Sequence, residues 1–260
     1  MSLGTVYLMY HELEVPGREL CQNAPGYLRY IVRAEQFRSQ LARLREKGFS
    51  GLSVTEALTS SDTAPPGVAL TFDDGSETDL ITAAPALKEF GFNATFYIVP
   101  GFLGQRGYLR DTQLRELSAQ GFEIGCHSMT HTFLSDLGRQ HLRVEIVEAR
   151  DRLEQVIGRS INHFSCPGGR WDRRVARMAE DAGYHSVATS RISANSPASD
   201  PYRLSRVAVM RDTTMAQFDE ICEGRGLFGR QARLAVLAAA KRALGNSMYE
   251  RVRSTVLGPG

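Results

Sequence analysis

The feature that most restricts the fold is a repeated alternation of short apolar runs and amphipathic segments, nearly every amphipathic segment closed by a glycine. Val6–Tyr10, Val68–Phe72, Ala94–Val99 and Phe122–Cys126 read as buried strands, rich in β-branched and aromatic residues. His163–Cys166, Tyr184–Thr189 and Leu204–Val209 continue the series. Between them, Glu35–Lys47, Asp79–Phe90, Asp111–Ala119, Gly138–Ile157, Asp172–Ala182 and Thr214–Cys222 carry apolar residues at helical spacing. Gly48, Gly91, Gly121 and Gly183 follow four of these segments and serve as helix stops. Strand, helix, strand in steady succession demands a parallel sheet with helical crossovers. At 260 residues, a (β/α) barrel of about seven parallel strands is favoured over an open doubly wound sheet. The first strand is not followed by a GxGxxG loop, which argues against dinucleotide binding.

Residues 1–222 are expected to form this barrel, and 223–260 a basic helical extension packed on it. The extension sets Leu234, Leu237 and Leu244 beside Arg230, Arg233, Lys241 and Arg242. Such a helix can touch a membrane surface peripherally, although packing on the barrel with a solvated cationic face is the preferred reading. A formal net charge of +2 gives no reason to expect a nucleic-acid partner. Four scattered cysteines without a CxxC pair suit a reducing compartment and argue against a cysteine metal site. With no signal peptide and no apolar run near ~18 residues, the chain as it stands reads as cytoplasmic, an exported form following only if a leader has been removed. The sequence sets no oligomeric state.

The reactive residues fall in one kind of place. His11, Asp73-Asp74, His127 and the Pro167-Gly168-Gly169 turn each come directly after a strand. In a parallel barrel those strand ends converge on one mouth. Asp73 and Asp74 are neighbours on extended backbone, so they should point in opposite directions and do different work, one as metal ligand and the other as a free base. His127 and His131, four apart, can share an ion if that stretch is helical or turn-like. Two histidines and one carboxylate with a fourth position open make a catalytic zinc-type donor set. Any one of these motifs alone is more often a turn or a cap than a site; on separate strand ends they converge. His11 is a candidate general acid. Arg170 and Trp171, just past the Gly-Gly turn, can position an acid or wall a sugar, while Trp171 has core packing as its plainer role.

Thr71-Phe72-Asp73-Asp74-Gly75 together with His127-Ser128-Met129-Thr130-His131 resembles the first two motifs of the polysaccharide deacetylases, the NodB homology domain of carbohydrate esterase family 4. The likeness runs from Tyr10-His11 to about Val209 and places Phe164–Gly169 where the third motif belongs. The resemblance implies a distorted (β/α) barrel and hydrolysis of N-acetyl groups on amino sugars, with Asp73 as base and Asp74, His127 and His131 around a divalent metal, zinc first, with cobalt, nickel or manganese as other candidates. It further implies that Pro167, Gly168, Gly169, Arg170 and Trp171 line the substrate. Two departures stand out. The third motif of the family opens with an arginine that steadies the base, and Ser165-Cys166-Pro167 carries none; Arg170 is the candidate replacement. The late Leu-x-His motif is also missing. Tyr10-His11 resembles the arrangement of the poly-N-acetylglucosamine deacetylases, which look circularly permuted and take the acid histidine from the first strand. The alternatives to sugar deacetylation are hydrolysis of another C–N bond, in a cyclic amide or a lipid-linked N-acetyl sugar, and non-catalytic sugar binding.

Overall fold

The computed structural model describes residues 4–60 and 66–233. Eight strands form one parallel sheet: β1 (Val6–Tyr10), β2 (Ser50–Leu52), β3 (Gly67–Asp74), β4 (Thr95–Ile98), β5 (Glu123–Cys126), β6 (His163–Ser165), β7 (Ser186–Ala188) and β8 (Val207–Ala208). The spatial order is β8-β1-β3-β4-β5-β6-β7, and β2 pairs with the start of β3 on the edge that β4 takes over further along. The sheet curls into a distorted barrel. Residues 204–209 lie between its last and first strands: Leu204 bridges Ala188 in parallel, while Val207 and Ala208 register with Leu8 and Met9.

The period of two along each strand separates two apolar sets. Leu8, Tyr10, Val68, Leu70, Phe72, Phe96 and Ile98 join the large core shared with the helices. There Phe72 stacks on Tyr10 and on Phe96, with ring centroids 5.3 and 4.8 Å apart. The intervening residues Tyr7, Ala69, Tyr97, Ala188 and Leu204 form a smaller cluster inside the barrel. A polar floor closes its lower end. The first residues of β4 to β7 (Thr95, Glu123, His163 and Ser186) meet there, and the helix Val54–Thr59 lies against them. The His163 ring nitrogens lie 2.8 Å from Thr55 Oγ1 and 2.8 Å from Ser186 Oγ. Glu123 accepts hydrogen bonds from the Val54 amide and the Thr95 hydroxyl.

The alternation expected from sequence is present, with informative departures. Strand β3 runs through both aspartates instead of ending at Phe72. The segment Asp79–Phe90 starts with a π-helical turn (Asp79–Ala83), and Arg139–Ile157 contains another (Val144–Glu148). Strand β2 and the helix Val54–Thr59 were not anticipated, although Ser53 and Glu56 form the capping box that announces that helix. Most of the expected extension at 223–260, and with it the apolar stripe of Leu234, Leu237 and Leu244, lies outside the described residues. Among the described residues no helix is long and apolar enough to cross a membrane.

Candidate active site

Four segments bring chemistry to one mouth. Asp73 and Asp74 end β3, His127 follows β5, Ser165 ends β6, and Arg206 sits one residue before β8. Asp73, Asp74, His127 and Arg206 are each at most 5% exposed, whereas His131 is partly open.

Regular strand geometry would send Asp73 and Asp74 to opposite faces. The structure does otherwise: Asp73 Oδ2 and Asp74 Oδ1 both lie 3.6 Å from His127 Nε2. Asp74 takes φ 82°, a left-handed backbone rare outside glycine, and this turn redirects its carboxylate toward the mouth. Gly75 follows at φ 80°, with Ile98 so close that an added Cβ would sit 3.1 Å from its Cδ1. The His127–His131 stretch is likewise not helical. Ser128 and His131 are left-handed at φ 62° and 61°, and the Ser128 hydroxyl accepts from the His131 amide at 3.0 Å. Glu145, on the neighbouring helix, pins the loop by accepting from the Thr130 amide at 2.9 Å and its hydroxyl at 2.6 Å.

These residues suit a divalent ion on their own terms. Asp74 Oδ1 lies 3.4 Å from His131 Nε2 and 3.6 Å from His127 Nε2. Donors about 2.0–2.1 Å from a tetrahedral ion stand a little over 3 Å apart, so the spacing fits. Asp74 Oδ1 is buried and has no hydrogen-bond partner among the described residues, an orphaned anion that a cation would satisfy. His127 Nδ1 is 2.9 Å from the Ser165 carbonyl oxygen. A carbonyl only accepts, so Nδ1 carries the hydrogen and Nε2 turns its lone pair toward the cluster. Burial lowers His127 to about 3 against the partly opposing effect of Asp73, and it lowers His131 as well. Both imidazoles are therefore neutral and able to ligate at neutral pH. Burial, with Asp73 adding to it and His11 opposing, pushes the Asp74 carboxyl up to about 6.

Asp73 has the opposite environment. Burial would raise its carboxyl, yet Arg206, followed by His127, holds it well below the usual range. Arg206 Nη1 donates to Asp73 Oδ1 at 2.7 Å and Nη2 to Oδ2 at 2.8 Å. The remaining donors of the guanidinium reach Ser165 Oγ (2.7 Å), Thr71 Oγ1 (3.2 Å) and the Thr189 carbonyl (3.2 Å). The arginine missing from the Ser165-Cys166-Pro167 stretch is thus supplied by a different strand, and Ser165 leaves room for it. Sequence reasoning did not single out Arg206, and Arg170 does not take this place: its guanidinium lies over the Phe133 ring, 4.9 Å from the centroid.

The other expected site residues are distributed along the rim. His11, directly after β1, lies against Tyr30 with centroids 4.8 Å apart, and its charge bears on both Asp73 and Asp74. His11 Nδ1 is buried without a hydrogen-bond partner among the described residues. Pro167 is buried, and Gly168 and Gly169 form a left-handed turn at φ 59° and 66°. Trp171 packs against the core, donates its indole N–H to the Tyr202 carbonyl at 2.7 Å and is covered by Arg203. These contacts account for core packing by Trp171, whose side chain stays partly exposed.

Residues 60–187 match the polysaccharide deacetylase family. That segment belongs to the family. Among the relatives of this chain, YxkH of Bacillus subtilis is 28% identical over 182 residues, covering 68% of this chain and 65% of that protein. A chitooligosaccharide deacetylase of Sinorhizobium fredii is 30% identical over 138 residues, covering 52% of this chain and 62% of its own length. The match to these relatives therefore spans somewhat under two thirds of their length. The Streptococcus pyogenes deacetylase PplD, solved in complex with acetate, superposes with a TM-score of 0.75 at 24% identity, covering 84% of this chain and 98% of that one. That likeness confirms the deacetylase barrel fold.

Proposed function

We propose that the mouth of the barrel hydrolyses the N-acetyl group of an amino sugar in a polysaccharide or glycoconjugate. The observation that carries this reading is the asymmetric treatment of two adjacent carboxylates. Asp74 Oδ1 is left without a hydrogen-bond partner among the described residues, beside two neutral histidines, while Asp73 is locked ionised by a bidentate arginine. A binding module needs no such division; a hydrolase needs a ligand and a base. The chitooligosaccharide deacetylase among the relatives supports an N-acetylated sugar as substrate.

Asp74, His127 and His131 are the residues that would hold the ion. Zinc suits two imidazoles and a carboxylate, and cobalt, nickel or manganese takes the same donors. Bound there, a divalent ion supplies Lewis-acid chemistry, acidifying a water and polarising the acetyl carbonyl. Asp73 accepts the proton of the attacking water, held in orientation by Arg206. His11, across the mouth, donates a proton to the departing amine. Pro167, Gly168, Gly169 and Arg170 border the sugar. The non-catalytic alternative rested on the absent arginine and loses that support with Arg206 in place.

The test is release of acetate and free amine from N-acetylglucosamine oligomers by the zinc-reconstituted protein. The expected result is stoichiometric release that disappears in Asp73→Asn. Equal release by a folded, metal-loaded Asp73→Asn variant would sink the mechanism.

A further inference from the structure

Phe133 stands two residues after His131 and is 45% exposed, unusual for a large apolar side chain on this surface. Its ring edge rests on the backbone of Gly168: a Cβ there would lie 2.7 Å from Phe133 Cε1. Gly169 is confined on its other side, where an added Cβ would meet Ser190 Oγ at 2.4 Å. The turn is thus fixed between an aromatic ring and a serine, and the next residue, Arg170, is delivered over the Phe133 ring.

The charge of Arg170 has no counterpart. Among the described residues its guanidinium forms no ion pair and no side-chain hydrogen bond. Two neighbouring arginines differ. Arg174 is engaged by Asp172 and the carbonyls of Ser135 and Leu137, and Arg206 is filled by Asp73, while Arg203 rests on Trp171 as Arg170 rests on Phe133. A neutral N-acetyl sugar gives no reason for a free cation at the rim. A guanidinium stacked on an aromatic face keeps its planar fork oriented and loses little freedom on pairing. That fork matches the two oxygens of a carboxylate or phosphate.

We infer that Arg170, propped on Phe133, recognises an anionic substituent, a carboxylate or a phosphate, on the N-acetylated sugar or on the unit beside it. This rests on the deacetylase reading for the location of the sugar. Arg170 is then a specificity-determining residue, and Phe133 a positioning residue that acts through it.

The experiment uses three tetrasaccharides of N-acetylated amino sugars: a neutral one, one carrying a lactyl carboxylate and one carrying a phosphate ester. Turnover (kcat and KM separately) and calorimetric binding are measured for the zinc-loaded wild type, Arg170→Gln and Phe133→Leu. The wild type is expected to prefer one of the anionic chains, and which one identifies the anion. Arg170→Gln is expected to lower the anionic-over-neutral ratio of kcat/KM about tenfold through KM, as loss of one charge-assisted pair should. Phe133→Leu is expected to lower the same ratio by less, again through KM, and to weaken the salt dependence of binding. A ratio that is the same in the wild type and Arg170→Gln, in turnover and in binding, overturns the inference. If no chain is turned over but the binding ratio falls in Arg170→Gln, the anion site stands and the deacetylase reading fails. Turnover with an unmoved ratio gives the converse.

Discussion

Arg206 and Asp73 face each other as two planar forks, Nη1 to Oδ1 at 2.7 Å and Nη2 to Oδ2 at 2.8 Å, both side chains almost wholly buried. Removing one partner of such a pair leaves an uncompensated charge in the interior. Arg206→Met is expected to cost about 3–5 kcal/mol and to abolish turnover. Asp73→Leu/Arg206→Met should recover most of the stability and none of the activity. Urea unfolding measures both. A single variant within ~1 kcal/mol of the wild type would show that the pair is not what holds this end of the barrel.

Asp74 Oδ1 is buried with no hydrogen-bond partner among the described residues, so its proposed role depends on an ion. Treatment with a chelator should remove activity, and zinc should restore it. Asp74→Ala and His127→Ala should fail to retain metal on desalting while keeping the wild-type circular dichroism spectrum. Full metal occupancy in either variant, measured by elemental analysis, would remove that residue from the donor set.

His11 lies at the mouth but outside the cluster of metal-ligating groups. His11→Asn should therefore keep its metal and lose turnover by about 10²–10⁴-fold, the usual contribution of a positioned acid. The loss should shrink for an aryl acetamide, whose amine leaves more readily without a proton. An equal loss on both substrates would assign His11 to another task.

Glu123 on the barrel floor predicts the acid limit of the fold. Burial raises its carboxyl, but His163, Thr55 and Thr95 outweigh that and hold it at about 2, below the ordinary 4.5. A depressed folded pKa contributes stability that is complete above the unfolded value and is lost as pH falls toward the folded one. The contribution, on the order of 2–3 kcal/mol, should be present above pH 4.5 and decline between 4.5 and 2. Glu123→Gln should flatten the stability curve in that window, followed by urea midpoints at successive pH values. An unchanged slope would contradict the account.

Much of the site could be read from sequence because it is written locally. A strand end followed by Asp73-Asp74, and another followed by His127, expose their identity through neighbours in the chain, and parallel topology does the gathering. Arg206 carries no such mark. It is one arginine among many, beside a two-residue strand, and only the register of residues 204–209 between β7 and β1 brings it to Asp73. Its one signal was negative, the arginine lacking near Ser165. The spacing of the two histidines allows helical or turn-like backbone, and the structure uses the turn, with left-handed residues at Ser128 and His131 bringing the rings together. Asp73 and Asp74 were expected on opposite faces because ideal strand alternation cannot foresee φ 82° at the second. The helix Val54–Thr59 was legible from Ser53 and Glu56, but the three-residue β2 before it is too short to show a pattern.

Asp74, Ser128 and His131 are the only non-glycine residues with positive φ among those described, and two of them are proposed metal ligands. Such conformations cost of order 1–3 kcal/mol each, so the protein concentrates its sacrifice of stability within a few ångströms of its chemistry. Glycine at Ser128 would relieve the backbone there and yield a sturdier chain with a looser metal site. Thermal hardening of this protein by selection for folding alone would thus tend to erode these positions first, and a screen meant to preserve function must hold them fixed.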